Sequence, residues 1–209
     1  NYYGKKNNEL VYIRSMKKNF DDNNPLKNYP YIKRNNDTFV IPIKPKYHTY
    51  LLPDSILYRE SYKDIHMPVE YAINKYYITN SGWLEIPKIG DNIVFYRSRQ
   101  EGAIAKYSSV LTTIGVVTNI FIPKNEQELV NKVSGRTVYN ESELRKTYSR
   151  NTYVIEFAYI TTLDKKLNYD FCKTNGILEE APRGVSKIDS TKFQKIIEFG
   201  KVDTTLIIK

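Results

Sequence analysis

The chain has 209 residues, a mass of 24.5 kDa, a formal charge of +9 and a pI near 9.3. That length excludes an array of large domains and suffices for one core without disulfides or structural metal, since a globule of this size buries roughly 70% of the surface its unfolded chain exposes. The basic balance favours anionic partners, nucleic acid first and phosphate metabolites or acidic membrane surfaces behind it, although abundant Lys, Asn, Ile and Tyr also fit an A+T-rich genome.

The lone cysteine, Cys172, makes no intramolecular bridge and suggests a reducing compartment. No run approaches the ~18 apolar residues of a membrane span, and NYYGKKNNEL lacks the apolar core of a signal peptide, so no membrane partner is expected and the cytoplasm is the expected location. The start without Met suggests a piece cut from a longer protein.

Residues 1–36 are polar and rich in Asn and Lys, and FDDNNPLKNYP within them reads as a loop or linker, which sets a boundary near 36 and a domain over 37–209. TFVIPI at 38–43 is strand-like, with Pro42 restricting it to an edge, an end or a bulge. KPKYHTYLLPDS then reads as a loop with a short helical turn. PVEYAIN at 68–74 forms a brief helix with Pro68 in its first turn, leading into a strand, KYYIT, at 75–79. After Asn80, Ser81 and Gly82 comes WLEIPKIGDNIVFYRS, in which Gly90-Asp91 turns the chain into another strand. VLTTIGVVTNIFI at 110–122 is the most apolar and β-branched run, a central strand with Gly115 as a bulge position.

Asn125 with Glu128 and Asn140 with Glu143 have capping-box spacing and open two helices, separated by the turn SGRT at 134–137. YVIEFAYITTL at 153–163 is the next strand. A last helix runs from about Thr191 to Phe199, with Ser190 as N-cap and Gly200 as its stop, and VDTTLIIK supplies a closing strand. Strands interrupted by short helices, without a repeating βαβ unit or any internal repeat, predict an α+β fold: a small mixed, curved sheet or β-barrel flanked by short helices.

His48 and His66 are the only histidines and neither has ligand spacing with Cys172, so no zinc site is expected. There is no Gly-x-Ser-x-Gly elbow, Walker lysine loop or Gly-x-Gly-x-x-Gly fingerprint, and no cofactor is expected. Asp54, Asp64, Asp91, Glu156 and Asp164 are scattered, and no catalytic residue is assigned.

Two stretches resemble known families. YYGKKNNELVYIRSMKK at 2–18 resembles the final strand pair of a GNAT-type N-acetyltransferase. The acetyl-CoA loop of that family is absent here, since Arg99-Gln-Glu-Gly102 starts correctly but Ile104 occupies the small position. The resemblance implies the end of an upstream acetyltransferase domain that cannot itself transfer an acetyl group. The succession IPIKPKYH, AINKYYITNS, KIGDNIVFYRS, SVLTTIGVVTNI and VIEFAYI, spanning most of 38–200, is similar to the PUA-like superfamily with its ASCH and EVE branches. Those domains are small β-barrels with flanking helices that bind RNA, or DNA carrying modified bases, in a cleft beside the barrel. EVE-like readers use an aromatic pocket for a flipped base, and the resemblance implies such a cleft here.

In that setting the Gly90-Asp91 turn starts a strand that delivers Tyr96, Arg97 and Ser98 to the rim, where arginine pairs with phosphate and tyrosine stacks on a base. The alternative puts Tyr96 in the core and Arg97 in a surface ion pair. Trp83 lines the pocket or caps the core. Arg136 and Thr137 in SGRT, and Arg183 and Gly184 in APRGV, lie in loops whose glycines leave backbone amides open to an anion, unless these arginines are merely solvated. Lys44, Lys46 and His48 form a basic, aromatic-interleaved segment that can track a nucleic-acid backbone, although His48 also suits a packing role. The expected function is a non-catalytic module binding RNA or modified-base DNA. The alternatives are an ASCH-like ribonuclease, cleaving without metal through Lys, Tyr and Arg, or the substrate-recognition domain of a larger acetyltransferase.

Overall fold

The computed structural model describes residues 2–6, 9–12, 21, 23–57, 68–80 and 85–208. In chain order the strands and helices begin with β1 (Tyr2–Lys6), β2 (Glu9–Tyr12), β3 (Ile32–Lys33), β4 (Thr38–Ile43) and α1 (Pro45–Leu51). There follow β5 (Asn74–Thr79), β6 (Asn92–Arg97), α2 (Ala105–Ser108), β7 (Val110–Phe121), α3 (Glu126–Val133) and α4 (Glu141–Thr147). The last elements are β8 (Tyr153–Asn168), α5 (Tyr169–Thr174), β9 (Ser186–Ile188), α6 (Ser190–Phe199) and β10 (Ile207–Ile208).

Six strands form one mixed sheet in the order β5-β8-β7-β6-β4-β9, in which only β4 and β6 run parallel. Alternation decides what each face buries. Phe39, Ile41, Ile93, Phe95, Val117 and Phe157 meet Leu51 and Leu52 on one face, whereas Val40, Val94, Tyr96, Leu111 and Ile114 meet helix α6 on the other. Helix α6 contributes Phe193, Ile196 and Ile197, the i, i+3, i+4 spacing of a single helical stripe. Each such side chain removed from water contributes about 1.5–3 kcal/mol. Helices α3 and α4 bury Leu129, Val130, Val133 and Leu144 against Tyr76, Ile78 and Val154.

The sheet does not close, so the barrel expectation is corrected to an open mixed sheet. Among the described residues no ladder joins its two edge strands, β5 and β9. The outer side of β5 is occupied by a loop instead, with the Tyr76 N–H donating to the Arg136 carbonyl at 2.9 Å. A loop that satisfies an edge donor removes the need for a partner strand.

The Gly90-Asp91 turn forms as expected: Gly90 has φ +94°, a region open to glycine, and the Asp91 carboxylate accepts from the Lys88 N–H at 2.7 Å. The ladder between β7 and β8 slips at Gly115, where an added Cβ would lie 3.0 Å from the Ala158 carbonyl oxygen. Asn140 and Glu143 make both arms of a capping box on α4. On α3 Asn125 caps Glu128 N–H, but the Glu128 carboxylate turns to the Lys124 N–H.

Other elements depart from expectation. PVEYAIN supplies only a 3-10 turn, Pro68–Tyr71, before β5 begins. The strand expected to end at 163 continues to Asn168 and runs directly into the unforeseen α5. The C-terminal strand pairs in parallel with β3 in a separate two-stranded ribbon, not with the main sheet. Within the stretch expected as a linker, Ile32 is fully buried and Asn28 nearly so. The N-cap of α6 is Asp189, not Ser190, because its carboxylate accepts from the Lys192 N–H at 2.8 Å.

Gly200 ends α6 with φ −75°, and the left-handed residue is Lys201 at φ 53°. Glycine at 200 answers to space: a Cβ there would sit 2.5 Å from the Ile196 carbonyl oxygen and 2.9 Å from Leu163 Cδ2. Gly200→Ala is therefore expected to destabilise the fold by about 1–3 kcal/mol in urea denaturation. An unchanged midpoint would show that this helix end moves aside without cost.

Candidate functional site

The last residue of β4, Ile43, pairs with the last of β6, Arg97, so both strands end together and the residues that follow them, Lys44 and Ser98, open the same end of the sheet. Ser98 ties the two strand ends, donating to the Ile43 carbonyl through its N–H at 2.9 Å and its Oγ at 3.1 Å. Pro45, at the first turn of α1, starts the helix immediately after Lys44 and turns Tyr47 and Leu51 toward the same space. Strand β5, the loop after α3 and the loop before β9 complete the walls of a cleft of about 380 Å³.

Its lining has three chemical components. Tyr47, Tyr77 and Tyr139 supply aromatic surface, with Tyr47 and Tyr139 tilted at 52° and 4.9 Å between ring centres, and Tyr76 borders the space while its own ring packs edge-on to Phe121 in the α3–α4 cluster. Ser98 and Thr137 supply hydroxyls, and Lys44 and Arg183 supply positive charge at the exposed rim. No described lining residue is acidic, and neither cation is ion-paired to a described residue. The cleft therefore presents uncompensated positive charge beside neutral rings.

The phenols of Tyr76, Tyr77 and Tyr139 are held neutral. Burial pushes the Tyr77 phenol up to about 12 and, with the neighbouring Tyr47 behind it, pushes Tyr139 upward. Burial, followed by the nearby Glu156 carboxylate, does the same to Tyr76. The Tyr77 hydroxyl donates to the Pro42 carbonyl at 2.8 Å. Thr137 is 5% exposed, and its Oγ1 has no hydrogen-bond partner among the described residues. An unmet buried hydroxyl costs on the order of 1–3 kcal/mol, which a polar atom of a ligand would recover.

Of the residues proposed from sequence, Lys44, Ser98, Thr137 and Arg183 meet in this cleft. Gly184 is half-buried beside Arg183 and is not part of the lining. Arg136 lies exposed on the outer side, with its guanidinium 5.8 Å from the Tyr76 ring centre and 4.0 Å from Glu156. Trp83 lies outside the described residues. Tyr96 and Arg97 do not reach the rim. Tyr96 is 2% exposed in the α6-facing core, and Arg97, also 2% exposed, donates to the Ser108 carbonyl at 3.1 Å. Of the three residues expected at the end of β6, only Ser98 reaches the cleft, because the apolar alternation that buries Val94 carries Tyr96 inward with it.

His48, on the inner face of α1, is fully buried, its Nε2 2.9 Å from Thr112 Oγ1. A chain of hydroxyls continues from Thr112 through Thr113, Ser55 and Thr162 to the Lys166 ammonium. Burial, then the Arg97 and Lys166 charges, drop the His48 imidazole to about 3. It is a neutral packing group at physiological pH. Cys172 is likewise an interior thiol, pushed up to about 12 by burial. Among the described residues no His, Cys, Asp and Glu cluster fits a metal ion, and no helix is long and apolar enough to cross a membrane.

Sequence reasoning missed three of the four tyrosines, Tyr76, Tyr77 and Tyr139. Tyr76 and Tyr77 are adjacent in NKYYIT, where alternation assigns one of them to the core, and nothing local shows that both border a cleft. Tyr47 is the exception, since it lies inside the basic segment already singled out around Lys44 and His48.

No protein-family model and no curated sequence matches the chain. Among solved structures, ASCH from Zymomonas mobilis overlays with a TM-score of 0.53 at 12% identity, over 77% of this chain and 94% of that one. A serine-to-alanine mutant of the same protein gives 0.54 at 12% identity over the same shares. The chain thus has an ASCH/PUA-like fold. Human THYN1, in complex with DNA containing 5-methylcytosine, overlays at only 0.42 and 7% identity, over 80% of this chain and 99% of that one, below the level that shows a shared fold. The acetyltransferase resemblance of residues 2–18 gains no support from these comparisons, although β1 and β2 do pair as an antiparallel hairpin.

His48 sets an acid limit on stability. Its pKa is lower in the folded chain, about 3, than the 6.5 of a free imidazole, so below 6.5 the unfolded state binds the extra proton. The contribution is complete above pH 6.5 and is lost as pH falls toward 3, at up to about 1.4 kcal/mol per pH unit. Denaturation curves between pH 7 and 4 are expected to show this loss in the parent protein and a shallower one in His48→Gln. Equal pH slopes would remove the buried imidazole as its cause.

Proposed function

We propose that this chain is a nucleic-acid-binding module that takes one unstacked base into its tyrosine-lined cleft while Lys44 and Arg183 hold flanking phosphates. One observation carries the reading: aromatic surface and two cations converge there without a described carboxylate. Every nucleic-acid base offers a π-face to a tyrosine, and the adjoining backbone offers anionic oxygens to lysine and arginine. A cleft of about 380 Å³ falls within the range of sites that enclose one small-molecule-sized group. The fold, shared with ASCH, and the net charge of +9 are compatible with this role. RNA and DNA with a modified base both satisfy the chemistry.

The ribonuclease alternative needs a group near neutrality to take the proton of the attacking hydroxyl. The phenols of Tyr76, Tyr77 and Tyr139 are pushed up, further from the pH at which they could take a proton, and His48 is buried as a neutral group on Thr112. Binding without cleavage is therefore the reading favoured. An acetyl-CoA loop encoded upstream of Asn1 would add to it the role of substrate reader for an acetyltransferase.

Fluorescence anisotropy with single-stranded and duplex RNA and DNA tests the proposal. Lys44→Ala and Arg183→Ala are each expected to weaken binding and to reduce the slope of log K against log salt by about 0.7 on a single strand. A double variant with unchanged affinity and unchanged slope would remove the cleft from the binding surface.

A further inference from the structure

We infer that the cleft discriminates among bases by their exocyclic amino group, favouring cytosine or adenine over uracil or thymine through the side-chain oxygens of Tyr77, Ser98 and Thr137. This rests on the nucleic-acid reading above.

The argument counts hydrogens. A hydroxyl brings one donor hydrogen and two acceptor lone pairs. Tyr77 spends its hydrogen on the Pro42 carbonyl at 2.8 Å, and Ser98 spends its own on the Ile43 carbonyl at 3.1 Å. Carbonyl oxygens only accept, so the direction of both bonds is settled. Toward a ligand these two oxygens can therefore only accept, the Tyr77 oxygen with the lone pair left beside its side-chain hydrogen bond with Thr79. Thr137 Oγ1 is the independent observation: it is buried in the same wall, lacks a partner among the described residues, and is able to donate or accept.

Two obligate acceptors and one versatile hydroxyl complement a base edge that offers an amino group beside a ring nitrogen. Cytosine presents its 4-amino group next to unprotonated N3, and adenine its 6-amino group next to N1. Uracil and thymine place a carbonyl oxygen where the amino group would be. Even with Thr137 turned to donate to that oxygen, the adjoining N3–H brings one donor hydrogen where the amino group brings two, so one of the two acceptors goes unmet. Sites built to hydrogen-bond a group reject the analogue lacking it far more strongly than apolar pockets do.

The test uses octamers of single-stranded RNA and of DNA that are identical except for one central nucleotide, measured by anisotropy. Cytosine and adenine are expected to bind about tenfold tighter than uracil or thymine. Tyr77→Phe keeps the ring and Thr137→Val keeps the shape. Each is expected to bring cytosine and adenine down toward the uracil affinity while leaving uracil binding in place. Thr137→Val removes an unpartnered hydroxyl, so its melting temperature should not fall, which separates lost recognition from lost folding. Tight binding without base preference, or a preference that survives both substitutions, would overturn this inference and leave the nucleic-acid reading standing. Failure of every octamer to bind would overturn both.

Discussion

Parallel pairing of β4 with β6, in a register that sets Phe39 beside Ile93 and Ile43 beside Arg97, brings the ends of both strands to one edge of the molecule. The register is held by burial on both faces. Ile93, Val94 and Phe95 are fully buried, so a slip of one residue would exchange the sets that face α1 and α6. Because that exchange is costly, the positions of Lys44 and Ser98 follow from the core. The cleft inherits its geometry from apolar packing and adds little local structure of its own.

The polar groups are partitioned accordingly. Arg97 and Tyr96 point into the interior, where the guanidinium serves the Ser108 carbonyl and the ring serves the packing of α6. His48 of α1 meets a hydroxyl-rich layer formed by Thr112, Thr113, Ser55 and Thr162, ending at the half-buried Lys166. Among the described residues, charge reaches the cleft from its loops, through Lys44 and Arg183. A rigid floor with charged loops above it is the usual division of labour in a binding site.

The loop after α3 joins stability to function. Arg136 supplies the carbonyl that satisfies Tyr76 on the outer edge of β5, and its guanidinium lies near the same ring. The next residue, Thr137, is thereby held in the cleft wall with its hydroxyl unmet. One short segment thus closes an exposed sheet edge and positions a polar atom for a ligand.

By itself the sequence determined the local grammar. Period-two runs such as TFVIPI and NIVFYR became strands, the Asn140 and Glu143 spacing became a capping box, and Gly90-Asp91 became a turn, because each depends on neighbours a few residues away. It also marked Lys44, Ser98, Thr137 and Arg183 as candidates, from polar or basic residues placed at element ends and in glycine-bearing or Pro-bearing loops. Only the tertiary structure decided that these four share a cleft with Tyr47, Tyr76, Tyr77 and Tyr139, while Tyr96, Arg97 and His48 are interior. The reason is that a side chain's face within a strand follows from which surface is covered, and coverage comes from helices and loops far away in the chain, as where α6 covers Val40 of β4.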